Sequence, residues 1–199
     1  MPRWTDRNLT VLELAVALLL IAVCIGIFSR QVLKLFARAE STMVNTSILN
    51  MNTAVKYHAA LAALNNDLDQ LAALEDINPM LLVRSPVEKI EMHEGNQDPF
   101  IARQNYSRLP GNYIGVLEAP VPDVLPGGQW YYDNNEKMLI YLVSNSEYFY
   151  SDLGAPARIR LETHIDYEDV DADGRYNPAV DKFRSITLRS PDHYKWLVE

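Results

Sequence analysis

Residues 9–28 read LTVLELAVALLLIAVCIGIF, an apolar run that holds one charge, Glu13. At about 1.5 Å rise per residue, a helix of this length covers about 30 Å, the thickness of a bilayer's hydrocarbon core. A buried core helix is usually shorter and is rarely apolar on every face. A cleaved secretory signal has an apolar core of about 7–15 residues and a small-residue cleavage site. Here Phe28 runs straight into Ser29, Arg30 and Gln31, and a helical pattern continues beyond them. The stretch therefore reads as a membrane-spanning helix over residues 9–28.

Outward from this run, the composition divides in two. The chain has 199 residues, 48% hydrophobic and 22% charged, with a net charge of -8. Residues 1–28 hold Arg3, Arg7, Asp6 and Glu13 and so contribute no net charge. The mean hydropathy of -0.13 is thus the average of an apolar stalk and a polar, acidic remainder. The apolar fraction argues against disorder, and 8 Gly with 11 Pro exclude a collagen-like or low-complexity chain. A single cysteine, Cys24, excludes a disulfide scaffold. So many charges leave no room for several membrane spans. The acidic balance argues against a nucleic-acid partner, which calls for a basic face.

Basic residues flank the span on both sides. Arg3 and Arg7 precede it, offset by Asp6, and Arg30, Lys34 and Arg38 follow it. The positive-inside count therefore does not set an orientation. Glu13 stands five residues into the apolar run. An ionisable residue in a span costs roughly 2.5–3.5 kcal/mol near the centre and less toward an end. That cost makes Glu13 a functional candidate, and its place near the end lets it snorkel.

The segment Arg7-Asn8-Leu9-Thr10-Val11-Leu12-Glu13-Leu14 resembles the opening of the type IV pilin and type II secretion pseudopilin superfamily. Members carry a short basic leader, a Gly, and a segment like FTLIEL that opens a long apolar helix. Thr10 matches the family's threonine, Val11 and Leu12 its aliphatic pair, and Glu13 its fifth-position glutamate. The resemblance covers about residues 7–60. It implies cleavage between Asn8 and Leu9 by a prepilin peptidase, with residues 1–8 as a cytoplasmic leader. It also implies that Leu9 and Glu13 act in assembly, the glutamate pairing with the free N-terminal amine of a neighbouring subunit. Partners would be other pilin or pseudopilin subunits and the inner-membrane assembly platform, with the C-terminal domain in the periplasm. Two features depart from the pattern: Asn8 stands where the family has Gly, and no proline occurs between Pro2 and Pro79. Minor subunits tolerate such departures better than major ones. A minor component of a mannose-sensitive haemagglutinin type pilus is one form the resemblance allows.

Beyond the span, Val44, Ile48, Met51 and Val55 recur at spacings of 4, 3 and 4, one face of an α-helix. This stripe is expected to cover a β-sheet. Asn65-Asn66-Asp67 interrupts it, and Leu68, Leu71 and Leu74 suggest a short second helix, so residues 29–76 form the helical continuation. Ile77-Asn78-Pro79 is expected to end that helix, because the residue before proline avoids helical geometry. Residues 77–199 then form a loop-rich region and an antiparallel sheet. Prolines and glycines crowd residues 84–129, with a short strand at 113–117. Residues 129–132 and 138–143 are aromatic and β-branched runs around Asp133-Asn134-Asn135-Glu136-Lys137, the pattern of a hairpin. Trp130 and Tyr132 are expected in the sheet core rather than on a stacking platform. Residues 157–165 alternate Ile159, Leu161, Thr163 and Ile165 with Arg158, Arg160, Glu162 and His164, a half-solvated strand. Residues 183–188 and 194–197 complete the set. The fold class is α+β and pilin-like: a long N-terminal helix, half transmembrane and half amphipathic, on an antiparallel sheet.

An acidic loop lies between the last long strands. Asp169, Asp171 and Asp173 precede Gly174 as DxDxDG. Alternate carboxylates can converge on one hard cation, and the glycine permits the sharp turn. The Arg175 carbonyl and Asn177 occupy loop positions 7 and 9. Val180 holds position 12, where an EF-hand carries its bidentate glutamate, and Asp181 comes one residue later. Strand-like flanks exclude an EF-hand domain, but a Ca2+ loop on a hairpin is expected from Asp169, Asp171, Asp173, Arg175, Asn177 and Asp181. A solvated acidic turn is the competing reading. The repulsion among Glu168, Asp169, Asp171, Asp173 and Asp181 favours a cation.

There is no nucleophile motif, no phosphate-binding glycine loop and no CxxC pair. The four histidines have no pairing spacing; His58 reads as a core residue and His164 as solvent-facing. Cys24 in the span behaves as a small hydrophobe. The expected function is therefore non-catalytic: a minor pilin or pseudopilin, a structural subunit of a type IV pilus or type II secretion filament. The alternative is a single-pass membrane protein whose periplasmic calcium-binding or sensory domain does not polymerise.

Overall fold

The computed structural model describes residues 11–83 and 111–198. The leader-like segment with Asn8, Leu9 and Thr10, and residues 84–110 of the Pro/Gly-rich stretch, lie outside the described residues.

One uninterrupted helix, α1 (Val11–Leu64), dominates the chain. Its 54 residues make it about 80 Å long. The absence of proline lets it run on. Serine and threonine do not break it, because their hydroxyls donate to the carbonyl four residues back. Ser29, Thr42, Thr46, Ser47 and Thr53 all do so, at 2.8–2.9 Å.

The stop has a local cause. Asn66 adopts φ +53°, a left-handed conformation that asparagine tolerates. The Asp67 N–H then donates to the Ala62 carbonyl at 2.9 Å, and the Asn66 N–H to that of Ala63 at 3.2 Å. Asp67 in turn caps α2 (Leu68–Ala73), accepting from the Gln70 N–H at 3.0 Å. The expected interruption and second helix are thus both present. Asn78-Pro79 corrects the expected stop: α2 is already over at Ala73, and these residues start α3 (Pro79–Leu82). Asn78 accepts from the Met80 N–H at 3.1 Å, and Pro79 sits in the first turn, where its missing N–H costs nothing.

The sheet has five strands in the order β1-β2-β3-β5-β6: Tyr113–Leu117, Trp130–Asp133, Met138–Leu142, Arg158–Glu168 and Lys182–Arg189. A separate pair joins β4 (Phe149–Ser151) to β7 (Tyr194–Trp196). The expected hairpin is β2–β3, with Trp130 opposite Tyr141 and Tyr132 opposite Leu139. An all-antiparallel sheet was expected, and β1 departs from it by running parallel to β2. The intervening residues carry the chain back to β1's starting end, so both strands point the same way. A register shift between Tyr113 and Val116 accompanies Gly115 at φ +114°, a conformation that side chains rarely allow. The sheet is therefore mixed and mostly antiparallel, and the α+β class stands.

The stripe on α1 covers one sheet face. Ala37, Val44 and Met51 pack in a single core with Trp130, Tyr132, Leu139, Tyr141, Ile159 and Leu161. Higher on the helix, Val55, Ala59 and Ala62 join Leu71, Leu74, Ile165 and Ile186. Each fully buried valine or methionine contributes about 1.5–3 kcal/mol relative to exposure. The opposite face of the hairpin is buried too: Tyr131, Ile140 and Leu142 cluster with Leu117, Leu125 and Met138. The tail is tied to the rod, because the Arg38 Nε donates to the Val198 carbonyl at 2.8 Å.

Candidate functional site: the stalk and the acidic loop

The N-terminal part of α1 is long and apolar enough to cross a membrane, which is consistent with single-pass anchoring. Among the described residues, no part of the folded domain buries the apolar window. Leu12, Leu14, Leu18, Leu19, Leu20, Ile21, Ile25 and Phe28 are all about half exposed or more. In water such a surface would be strongly disfavoured, at roughly 25 cal/mol per Å2. Glu13 sits in the first turn of the described helix, and Cys24 is exposed on the span. Leu9 and Asn8 lie outside the described residues.

The acidic loop joins β5 to β6. Asp169, Asp171 and Asp173 are exposed, and one carboxylate oxygen of each lies within 4.8 Å of the other two. The local backbone makes this convergence. Ala172 and Gly174 take φ +59° and +75°, which folds the chain tightly. The Gly174 N–H donates to Asp169 Oδ2 at 2.9 Å and the Arg175 N–H to Asp173 Oδ1 at 2.8 Å. The Asp171 carboxyl is pushed above the usual carboxylate range, by desolvation within the loop and by repulsion from Asp173, Asp181 and Asp169.

Asp181 does not join this group as a free ligand. Its side chain is buried, accepting from the Val170 N–H at 2.9 Å and the Asn177 N–H at 2.7 Å. It is a staple that closes the loop. Asn177 Oδ1 likewise accepts from the Ala179 N–H at 3.1 Å. Of the six expected ligands, then, the three aspartates converge. Asp181 and Asn177 have their side-chain oxygens engaged by the loop backbone, and Arg175 serves the loop through its N–H. Among the described residues, these aspartates form the one cluster of three acidic, histidine or cysteine side chains able to hold a metal ion.

A third carboxylate position escaped the sequence reading. Glu40 is buried on α1 and holds the turn after β3 with four hydrogen bonds. Its Oε1 accepts from the Tyr141 hydroxyl at 2.8 Å and the Ser144 N–H at 2.7 Å. Its Oε2 accepts from the Asn145 N–H at 3.0 Å and the Asn145 Nδ2 at 2.6 Å. Burial and this hydrogen bond drive the Tyr141 hydroxyl far above the ordinary phenol range. The signal was available: stepping back from Val44 at helical spacing reaches Glu40 and then Ala37, a glutamate on an otherwise apolar stripe.

Trp130 and Tyr132 are core residues, as their alternation predicts. His58 is half-buried with its ring edge-on to Tyr57, and His164 is half-buried on the outward side of β5. No family model, no curated protein and no solved structure matches this chain.

Proposed function

We propose that the chain is a minor pilin or pseudopilin, a non-catalytic structural subunit of a type IV pilus or type II secretion filament. In this reading the N-terminal helix anchors it in the inner membrane of a diderm bacterium, and the folded domain lies in the periplasm. The observation that carries the proposal is the single helix, exposed and apolar in its first half and packed on a sheet in its second. Such a helix can leave a bilayer sideways and bury its apolar half against like helices while its domain stays folded. The segment from Thr10 to Leu14 supports the reading, with Glu13 as the residue that sets register, since a carboxylate in lipid favours a position where its charge is paired. Partners are other pilin or pseudopilin subunits, the assembly platform and a prepilin peptidase acting between Asn8 and Leu9. Mass spectrometry of the chain from its native membrane tests this. A mature N-terminus at methylated Leu9 is expected. A chain that keeps Met1 favours the alternative, a single-pass protein with a sensory or calcium-binding domain that never polymerises. Asn8 and the proline-free helix are the features that speak for that alternative.

A second proposal concerns the acidic loop, which we infer takes up Ca2+ through Asp169, Asp171 and Asp173. The convergence of their oxygens supports it, because a divalent cation offsets the repulsion among carboxylates held that close. Calorimetric titration with Ca2+ should show binding to the full chain in detergent and none to Asp171→Ala. Heatless titrations of both proteins would end the idea.

A further inference from the structure

Just past the apolar run, α1 carries Arg30, Lys34 and Arg38 within one uninterrupted helix. Spacings of four place them on one helix face. At about 1.5 Å per residue, Arg30 stands about 3 Å beyond Phe28 and Lys34 about 9 Å beyond it. The polar layer on each side of a bilayer's hydrocarbon core is roughly 5–8 Å thick. Arg30 therefore lies inside that layer. Lys34 starts at its outer edge and can reach back with its four-carbon stem.

This face borders the folded domain at its upper end, through Arg38. Lys34 is half-buried, and Ala37 and Glu40, to one side of this face, are buried under the sheet. Arg38 is already used, since its Nε holds the Val198 carbonyl at 2.8 Å. Glu40, the nearest acid along the helix, has both oxygens occupied by four donors. Among the described residues, Arg30 and Lys34 make no ion pair and no side-chain hydrogen bond. Their charge does not help to orient the span either, because it adds to the flank that carries the domain. Two cations one helical turn apart, at or beside phosphate depth and without an acidic partner among the described residues, are placed to take an anion from the membrane.

We propose that Arg30 and Lys34 form a binding site for the phosphate of an anionic phospholipid in the leaflet that faces the folded domain. Arg30 offers a planar fork to two phosphate oxygens and Lys34 a point charge to a third. The site requires only a spanning helix and does not depend on filament assembly. A processed or an unprocessed N-terminus leaves it equally intact.

The test uses the full chain in vesicles of equimolar phosphatidylglycerol and phosphatidylcholine. After extraction in mild detergent, native mass spectrometry weighs the lipid that stays bound. Wild-type protein should retain phosphatidylglycerol over phosphatidylcholine by about 25-fold, each of the two cations near a membrane surface supplying about a fivefold bias. The double variant Arg30→Gln, Lys34→Gln should fall to near parity. Arg30→Lys should keep most of the preference, and Lys56→Gln, farther up the rod, should keep all of it. Wild-type parity would overturn the proposal, as would a double variant with undiminished preference or an equal loss in Lys56→Gln. Displacement of the lipid by low-millimolar inorganic phosphate would show a soluble-anion site and overturn the lipid assignment.

Discussion

Residues 11–36 and 37–62 of α1 share one backbone, yet their side chains live in different surroundings. In the first half, exposed leucine, isoleucine and valine point to every side of the helix. In the second, only one stripe is buried, running Ala37, Glu40, Val44, Met51, Val55, Ala59 and Ala62. Helix propensity does not separate the halves; the partner does. The upper half is held by tertiary packing on a sheet, while among the described residues nothing covers the apolar window of the lower half, a surface suited to lipid or other helices. A carboxylate follows the same division. Glu40 is fixed by four donors on the packed half, whereas Glu13 stands in the first turn of the exposed apolar half.

The comparison breaks most sharply under leucine- or methionine-sized deletions. Met51→Ala should lower the stability of the full chain in detergent by about 2–5 kcal/mol, since it opens a cavity in a packed core. Leu20→Ala, on the span, should leave domain unfolding within about 0.5 kcal/mol of wild type. Chemical denaturation followed by tryptophan fluorescence measures both, and Trp130 and Trp196 report from the core itself. An equal effect at both positions would mean that the halves are not separated in this way.

The carboxylates give a smaller effect. Glu40→Gln removes the charge from a buried site with four donors and should cost roughly 2–3 kcal/mol. Glu13→Ala should change domain stability negligibly and, on the proposed function, abolish filament assembly. A Glu40→Gln protein as stable as wild type would show that the clamp is idle.

The smallest expected effect lies on the surface of the domain. Arg160 grips Asp192 through two hydrogen bonds of 2.7 and 2.8 Å, with side chains 24% and 14% exposed. That contact, aided by the Arg160 charge, holds the Asp192 carboxyl below the usual range. A lowered folded-state value means the ionised form favours the fold. Its contribution is complete above the ordinary aspartate value of about 4 and is lost as pH falls through the lowered one. Asp192→Asn should therefore cost roughly 1 kcal/mol at neutral pH, because both groups are still partly in water. The difference should vanish at pH below the carboxylate range. Asp171 has the opposite sign. Its raised value means that its charge opposes the fold at neutral pH, a penalty relieved as pH falls through that value. Denaturation of Asp192→Asn and Asp171→Asn beside wild type across pH 3–7, without added Ca2+, checks the two signs.

Much of this fold was legible from period and punctuation. The apolar run, the 4-3-4 stripe from Val44 to Val55, Asn65-Asn66-Asp67 and the β2–β3 hairpin all speak locally, because caps and turns are decided by neighbouring residues. What escaped was non-local. The pairing of β4 with β7 and the parallel course of β1 depend on residues far apart in the chain. Tyr131 lies between two core aromatics on the strand, and its own sheet face is covered as well, by residues distant in sequence. At the acidic loop, the DxDxDG spacing foretold the convergence of three aspartates. It could not foretell that Asp181 would be spent on two backbone N–H groups, since a carboxylate in sequence looks the same whether it binds an ion or closes a turn. Glu40 was missed because the stripe was begun at Val44, one step too late.

The claim that matters most is that the lower half of α1 finds its partner in a filament, through Glu13. Filaments sheared from native cells and probed for this chain test it directly, with the Glu13→Ala variant expressed at the same level beside wild type. The account predicts the wild-type chain in the sheared fraction and the variant only in the membrane, its domain still folded. Wild-type protein confined to the membrane, or a variant sheared off in equal amount, would contradict it.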